Sequence, residues 1–428
     1  MVTYEDETLD NGLRVVTAHL PTWRSLALGV FAGAGSRHDP PRQHGLAHFT
    51  EHMLFKGTKR RTPKRIVIQA ESVGGSLNAY TSEEHTCYHV RSPAKHLKRM
   101  IDLLADMYAD STFPETEIGQ ERQVIEDEIL TYRDEPSSHV DDLLSEITWP
   151  GHALGRPILG SPTTLARIER ATFLSHLERS YGARNSVIAL AGPQSHREMV
   201  DAVAAEFSRL PPGKRRITSP FKRRPGKLED HLLIEERPIE QIHLRLAFHA
   251  EGRKHAQMVP SRLLSVLLGE TMSSRLSQEL REKRGYCYSV GSSRDAFIET
   301  GLFSIYVSFE PRFLVPLLKQ IFRQLQLLCE RPPSARELKE SYQYVAGSHD
   351  MGLEETTTQM FWLGDAAINR DDDLDPNRYI RDLAQVRPAD IQQAAQDIFT
   401  EENLRVALLG PNLEKHRPTL LALCEDLI

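Results

Sequence analysis

Two stretches decide the fold: RNSVIALAGP at residues 184–193 and ENLRVALLGP at residues 402–411. Each is a short apolar run that ends in Gly-Pro and follows a stretch with a helical pattern, which indicates a strand after a helix. The two stretches lie about half a chain length apart. This spacing indicates an internal duplication.

Further pairs of segments occur in the same order in both halves. Strand-like segments begin at Ser25 and Ile242, alternating strands follow from Asn78 and Tyr288, and long amphipathic helices come next. The sequence therefore predicts an α+β protein with two duplicated domains, each an antiparallel sheet with helices packed on one face. We place the N-terminal domain at residues 1–210, a linker at 211–228 and the C-terminal domain at 229–428.

Composition limits the class of protein. The 428 residues are 40% hydrophobic and 26% charged, as in soluble globular proteins, and no apolar run is long enough for a membrane span. The first residues enter strand-like alternation at once, unlike a signal peptide. Four scattered cysteines argue against disulfides and favour a reducing, cytoplasmic location. A net charge of −6 gives no reason to expect nucleic-acid binding.

The predicted linker is basic. It contains KRR at residues 214–216 and again at 222–224, with proline and glycine around them. Such a stretch is most often a solvated linker, and the alternative is a docking patch for an acidic partner.

The motif that carries chemistry is HFTEH at residues 48–52. On an α-helix, His52 lies roughly 40° from His48 and Glu51 roughly 60° to the other side, so all three leave one face. Two imidazoles at i and i+4 can share a zinc ion, and the carboxylate can reach a water rather than the metal. HxxEH is the reversed HExxH peptidase motif. The alternative is a surface helix with two solvated histidines. His44 is expected at the helix entry, facing solvent or a cap.

A catalytic zinc site needs a third protein ligand. The helix predicted from Pro114 carries Glu121 and Glu128, seven residues apart, on the side of its isoleucine stripe. Carboxylates on the buried side of a helix are costly unless they are paired or bound to a metal. With HFTEH upstream we favour the metal, and the alternative is a pair of salt bridges to arginine or lysine.

Together these segments resemble the pitrilysin, insulin-degrading enzyme and mitochondrial processing peptidase superfamily, in particular its short two-domain bacterial-type members. The matching blocks are GLAHFTEHMLFKGT (45–58), NAYTSEEHTCYHV (78–90), ERQVIEDE (121–128) and LREKRGYCYSV (280–290). The resemblance covers nearly the whole chain. It departs from the family at residues 286–287, Tyr-Cys, where smaller or aliphatic residues are usual.

The resemblance implies roles for the candidate site residues. Glu128 would join His48 and His52 as the third ligand of one Zn²⁺ per chain. Glu121 would be a supporting carboxylate that orients a histidine ligand. Glu51 would be the general base, which takes a proton from the attacking water and passes it to the leaving amine.

The resemblance also implies how a substrate is held. Asn78, Ala79 and Tyr80 match a sheet edge to which an extended peptide adds as a strand, although Asn78 could simply end a strand. Arg281 and Tyr288 match a pair that reaches the metal from the partner domain. Tyr288 would bind the developing oxyanion and Arg281 a substrate carbonyl. Without the resemblance, the pair is a charged helix end and a strand aromatic.

Three functions follow as alternatives. The first is a zinc endopeptidase for short or unfolded peptides, and the second is a processing peptidase that clips one presequence or modified peptide together with a partner subunit. The third, a non-catalytic structural subunit, conflicts with the intact motif. We expect peptide substrates and a homodimer in which each site combines residues of both subunits. The alternative is a heterodimer with a related subunit, and neither nucleic acid nor membrane is expected as a partner.

Overall fold

A computed structural model of the chain describes residues 2–218, 220–223, 227–369 and 373–425. The strands of these residues are β1 Thr3–Thr8, β2 Arg14–His19, β3 Ser25–Ala32, β4 Ser76–Thr81, β5 Thr86–Pro93, β6 Ser186–Gly192, β7 Leu232–Glu236, β8 Ile242–Glu251, β9 Cys287–Ala296, β10 Thr300–Phe309 and β11 Leu404–Gly410.

The helices are α1 Leu46–Leu54, α2 Pro63–Glu71, α3 Leu97–Asp110, α4 Glu115–Asp134, α5 Pro136–Thr148, α6 Pro162–Leu165, α7 Arg170–Ser180, α8 His196–Phe207, α9 Met258–Ser265, α10 Leu314–Glu330, α11 Ala335–Gly352, α12 Thr356–Ile368, α13 Pro376–Leu383, α14 Pro388–Ile398 and α15 Arg417–Glu425. Two π-helical turns occupy Val266–Glu270 and Ser277–Glu282. No helix of the described residues is both long and apolar enough to cross a membrane.

The strands form two sheets, in the orders β1-β2-β6-β3-β5-β4 and β7-β11-β8-β10-β9. The two apolar runs that indicated the duplication are β6 and β11, and every residue of both strands is buried. The predicted α+β class with two duplicated sheets is confirmed. Each sheet is antiparallel except for one parallel pair, β2–β6 in the first and β7–β11 in the second. The apolar runs carry no information about strand direction, so these pairs were not predicted.

The chain forms two compact units that are not contiguous in sequence. One consists of Met1–Leu130, Arg156–Ser219 and His349–Pro376, and the other of the remaining residues. The predicted domains, 1–210 and 229–428, were contiguous and so differ from these units in two segments. Each of those segments contains a helix that packs on the sheet of the other sequence half.

These two helices cover the second face of each sheet, whereas the sequence predicted helices on one face. In the first unit, α12 lies across β2, β3 and β6 with Met360 and Leu363 fully buried. Gly364 faces the ring of Phe31, and a Cβ at this position would overlap that ring. In the second unit, α5 lies on β8 and β11, with Val140 fully buried. Apolar residues on both faces of the central strands explain why β6 and β11 are apolar without alternation.

The entry to α1 is fixed by a buried carboxylate. Asp39 accepts hydrogen bonds from the main-chain N–H of Gly45 (3.0 Å) and of Ala47 (3.1 Å). These are N–H groups that have no partner inside the helix. Gly45 has a φ of 96°, and a Cβ there would lie 2.8 Å from the carbonyl oxygen of Leu159. A glycine is therefore required where the chain turns into α1.

Part of the basic linker is held on the first unit. The main-chain N–H of Arg216 donates to Asn185 Oδ1 (2.9 Å), and Arg216 Nη2 donates to the carbonyl of His38 (2.8 Å). Residues 219 and 224–226 of the predicted linker lie outside the described residues.

Candidate metal centre

His48 and His52 project from one face of α1, as the helical spacing predicted. Phe49, Met53 and Leu54 are fully buried and anchor the helix in the core of the first unit. The two imidazole rings lie 4.5 Å apart between centroids. His48 is only 8% exposed. The two histidines therefore form one rigid pair at the surface of the core.

Glu128 on α4 completes a cluster with these histidines. Its Oε2 lies 3.8 Å from His48 Nε2 and 3.7 Å from His52 Nε2. One ligand atom of each of the three residues lies within 4.8 Å of the other two, and the described residues contain no other such group of histidine, cysteine or acidic side chains. The sequence motif and the distant helix are thus brought together by the fold.

The three residues fit a zinc ion. Ligand atoms at 2.0–2.1 Å from a tetrahedral zinc lie roughly 3.4 Å from one another, close to the separations of Glu128 from the histidines. Two histidines and one glutamate are a donor set of catalytic zinc sites. Burial, together with the neighbouring His52, lowers the pKa of His48 to about 3, so its imidazole is neutral and can donate a lone pair.

Glu121 lies behind His52 and outside the cluster. Its Oε1 accepts a hydrogen bond from His52 Nδ1 (2.8 Å), and its Oε2 pairs with Lys56. Burial opposes ionisation of Glu121, but the bonds from His52 and Lys56 outweigh it and lower the pKa of this carboxyl. An ionised Glu121 keeps the proton of His52 on Nδ1 and leaves Nε2 facing Glu128. Glu121 thus contacts a histidine, as the family resemblance implied, and also a lysine, as the salt-bridge alternative predicted.

Glu51 lies on the same helix face but outside the cluster. Thr81, the last residue of β4, donates a hydrogen bond from Oγ1 to Glu51 Oε2 (2.6 Å). Burial raises the pKa of Glu51, and the bond from Thr81 partly offsets the effect. A buried carboxylate with a raised pKa is a stronger base than one in water.

Sequence reasoning missed two of these contacts. Lys56 lies beyond the end of α1 and pairs with Glu121 on α4, so helical spacing does not identify this contact. The contact of Thr81 with Glu51 joins a strand to a helix 30 residues earlier, and no local pattern marks it. His44, expected to face solvent or a cap, is 4% exposed and lies 3.9 Å from the capping carboxylate of Asp39, so it faces the cap and not solvent.

The predicted substrate edge lies beside this centre. Asn78, Ala79 and Tyr80 belong to β4, which is the terminal strand of the first sheet. Ala79 packs on the core that contains α1. The Tyr80 hydroxyl contacts His85 Nε2 (3.0 Å) on the opposite side, where its ring packs on Phe361.

Arg281 and Tyr288 lie in the second unit, and the fold brings them together. The Arg281 guanidinium carbon lies 5.2 Å from the centre of the Tyr288 ring, a cation–π contact, and Arg281 Nε lies 3.4 Å from Glu282. Tyr288 is on β9, the terminal strand of the second sheet, and is 82% exposed.

Comparisons with known proteins identify the family. The insulinase (peptidase family M16) profile matches residues 14–162, and the profile of the peptidase M16 inactive domain matches residues 167–343. A Bacillus subtilis protein named as an uncharacterized zinc protease is 34% identical over 407 residues, which cover 95% of this chain and 98% of the relative. The chain belongs to peptidase family M16. A Streptomyces coelicolor M16 relative, also named as an uncharacterized zinc protease, is 32% identical over 98% of this chain and 92% of its own.

Solved structures show the same two-domain M16 fold. A protease from Helicobacter pylori has a TM-score of 0.90 at 21% identity and covers 96% of this chain and 100% of its own. A Pseudomonas fluorescens structure described as a peptidase M16 inactive domain has a TM-score of 0.88 at 19% identity. It covers 96% of this chain and 98% of its own. The resemblance inferred from the sequence is confirmed, and membership of M16 with relatives named zinc proteases supports a peptidase. His48, His52 and Glu128 lie in the part matched by the insulinase profile.

Proposed function

We propose that this M16 member is a zinc endopeptidase that hydrolyses peptide bonds in short or unfolded peptides. The observation that carries the proposal is the cluster of His48, His52 and Glu128, whose ligand atoms lie within 4.8 Å of one another. Glu51 lies beside this cluster but is bonded to Thr81 instead. The three candidate ligands and the candidate general base would thus be separate groups, as a hydrolytic site requires.

His48, His52 and Glu128 would hold one zinc ion per chain. When bound there, zinc would act as a Lewis acid towards a peptide carbonyl and a water molecule near neutral pH. Glu51 accepts a proton of the attacking water and delivers it to the leaving amine. Because Thr81 donates to Oε2 of Glu51, Oε1 is the oxygen that remains for this proton.

The substrate would pair with the outer edge of β4. Main-chain pairing recognises an extended peptide with few demands on its side chains. Side chains alternate between the two faces along this strand, so Ala79 and Thr81 share one face. This is the face that meets Glu51. A peptide in register with Asn78, Ala79 and Tyr80 would therefore pass beside the base and the metal ligands.

Arg281 and Tyr288 would complete the site from a second subunit of a homodimer. The high exposure of Tyr288 and its contact with Arg281 support this role, since a preassembled pair can bind a carbonyl oxygen and an oxyanion. In a symmetric dimer each of the two sites then draws on both chains. A cytoplasmic location belongs to the same proposal, because all four cysteines are free.

Digestion of a peptide library by the purified chain tests the proposal. We expect cleavage within many extended peptides, its loss on addition of a chelator and its return with zinc, while a Glu51→Gln chain serves as the blank. Cleavage of a single sequence would favour a processing peptidase. No zinc-dependent cleavage in the wild type beyond that of the Glu51→Gln chain would contradict the proposal.

A further inference from the structure

The second unit contains a cavity of about 320 Å³ whose lining includes His249, Gln257, Arg294 and Asn403. All four carry buried polar atoms without a hydrogen-bond partner: both ring nitrogens of His249, Oε1 of Gln257, Nε and Nη1 of Arg294, and Oδ1 of Asn403. His249 is only 5% exposed. Buried polar groups in native proteins are nearly always hydrogen-bonded, so this lining indicates a ligand that offers both donors and acceptors.

The internal duplication shows what such a ligand resembles. Asn185 directly precedes β6 and Asn403 directly precedes β11, so the two asparagines occupy equivalent positions. Asn185 Nδ2 donates to the carbonyls of Ser180 (2.7 Å) and Gly33 (3.0 Å). Asn403 Nδ2 likewise donates to two carbonyls of its own unit, at 2.9 Å each. These bonds fix the amide orientation of both side chains, with Oδ1 as the remaining acceptor.

The two Oδ1 atoms differ in their partners. Asn185 Oδ1 accepts the main-chain N–H of Arg216, in a segment without regular secondary structure. Asn403 Oδ1 is buried without a partner, and Asn403 is one of the residues that line the cavity. Asp397, six residues before Asn403, also lines this cavity. Arg179 is likewise six residues before Asn185, and it lies beside the segment of Arg216. The cavity of the second unit thus lies at the position equivalent to that where Asn185 of the first unit binds a main-chain N–H.

We infer that this cavity binds a short peptide, with a main-chain N–H on Asn403 Oδ1 and the C-terminal carboxylate on Arg294. Arg294 Nη2 donates to the carbonyl of Glu251 (2.6 Å), which holds the guanidinium in place. Arg294 makes no salt bridge with a described residue, so its Nε and Nη1 are available to an anionic group of the ligand.

Phe221 and His249 suit a peptide group, and the acidic residues Glu251, Glu299 and Asp397 also line the cavity. Phe221 stacks on the ring of His249 with centroids 5.5 Å apart and an interplanar angle of 22°, which gives the cavity one apolar wall. Burial, with Arg405 nearby, lowers the pKa of His249 to about 3, so the ring is neutral and offers one donor and one acceptor. The volume is at the lower end of the range of ligand sites, which fits a peptide of two or three small residues.

Calorimetric titration with trialanine tests the inference on a full-length Glu51→Gln chain, in which hydrolysis is suppressed. We expect one trialanine per chain to bind in a manner that depends on Arg294, and trialanine amide, which lacks the carboxylate, to bind about tenfold more weakly. An added Arg294→Gln change should weaken trialanine binding about tenfold and remove the preference over the amide. Gln257→Leu should weaken both peptides. Arg336→Gln is the matched control, because Arg336 is an exposed arginine of the same unit that pairs with Glu340.

Several outcomes would overturn the inference. One is the absence of trialanine binding, with the cavity filled by water alone. Another is binding of inorganic phosphate in place of trialanine, which would make the cavity a general anion site. Equal binding of trialanine and its amide, or full binding by both the Arg294→Gln and Gln257→Leu chains, would also exclude this cavity. Because the readout is binding by a chain without turnover, it does not depend on the proposed peptidase activity.

Discussion

Replacement of Glu121 by glutamine tests how the metal centre is supported. The change keeps the shape of the side chain but removes its charge, and with it the ion pair to Lys56 and the charged acceptor for His52 Nδ1. A hydrogen bond to a charged group contributes about 1.5–3 kcal/mol, against about 0.5–1.5 kcal/mol for a neutral pair. The difference, about 1–1.5 kcal/mol, corresponds to a zinc affinity roughly 5- to 13-fold lower. This lies near the range of about 10–100-fold that is typical of residues behind a metal ligand.

Competition between the protein and a chelating dye measures this affinity directly. Glu126→Gln is the matched control, because it removes the same charge from the same helix, and Glu126 is not part of the metal cluster. The Glu121→Gln chain should still bind zinc at saturating metal but release it to the dye more readily. Wild-type affinity would show that Glu121 only forms a salt bridge, and complete loss of zinc would show that it is itself a ligand.

Three further predictions test other parts of the structure. Thr81→Val removes the hydrogen bond to Glu51, so kcat/KM should fall about tenfold while the zinc content stays the same; unchanged kinetics would contradict the orienting role of Thr81. Asp106 is buried, and although burial opposes its ionisation, bonds from Thr58, Arg60 and Arg61 lower its pKa. Its stabilisation is therefore present above the unfolded pKa near 4 and is lost as the pH falls through the folded value. Asp106→Asn should lower the free energy of unfolding by about 2–4 kcal/mol at pH 7, with a smaller further loss towards pH 3 than in the wild type; equal urea midpoints at pH 7 would refute this. Glu51→Gln and Tyr288→Phe chains should each be nearly inactive, and subunit exchange should restore activity towards about half of the wild type per mixed dimer. Exchange without recovery would mean that the site is not shared.

The parts of the fold and site that depend on local pattern were predictable from the sequence. The duplication follows from the matching runs that became β6 and β11. The shared face of His48, Glu51 and His52 follows from helix geometry alone. The carboxylates of α4 were recognisable because charges on the buried side of a helix need a partner. Which carboxylate joins the histidines came from the family resemblance, and Glu128 Oε2 does lie 3.7–3.8 Å from the Nε2 atoms of both.

The parts that depend on long-range packing were not predictable. An amphipathic pattern shows that a helix has an apolar face but not which sheet it covers. This is why the predicted contiguous domains do not separate residues 131–155 and 349–376, which belong to the compact unit of the other sequence half. The contact of Thr81 with Glu51 and the burial of His44 beside Asp39 likewise arise only when distant segments meet.

The zinc content and turnover of the Glu51→Gln chain, measured on the same preparation, test the central claim most directly. We expect about one zinc per chain by elemental mass spectrometry, as in the wild type. Peptide hydrolysis should be about 100- to 10,000-fold slower, which is the usual contribution of a general base. A Glu128→Gln chain prepared in parallel should lack zinc. Loss of zinc from Glu51→Gln, or wild-type turnover by it, would contradict the separation of base and ligands on which the proposed mechanism rests.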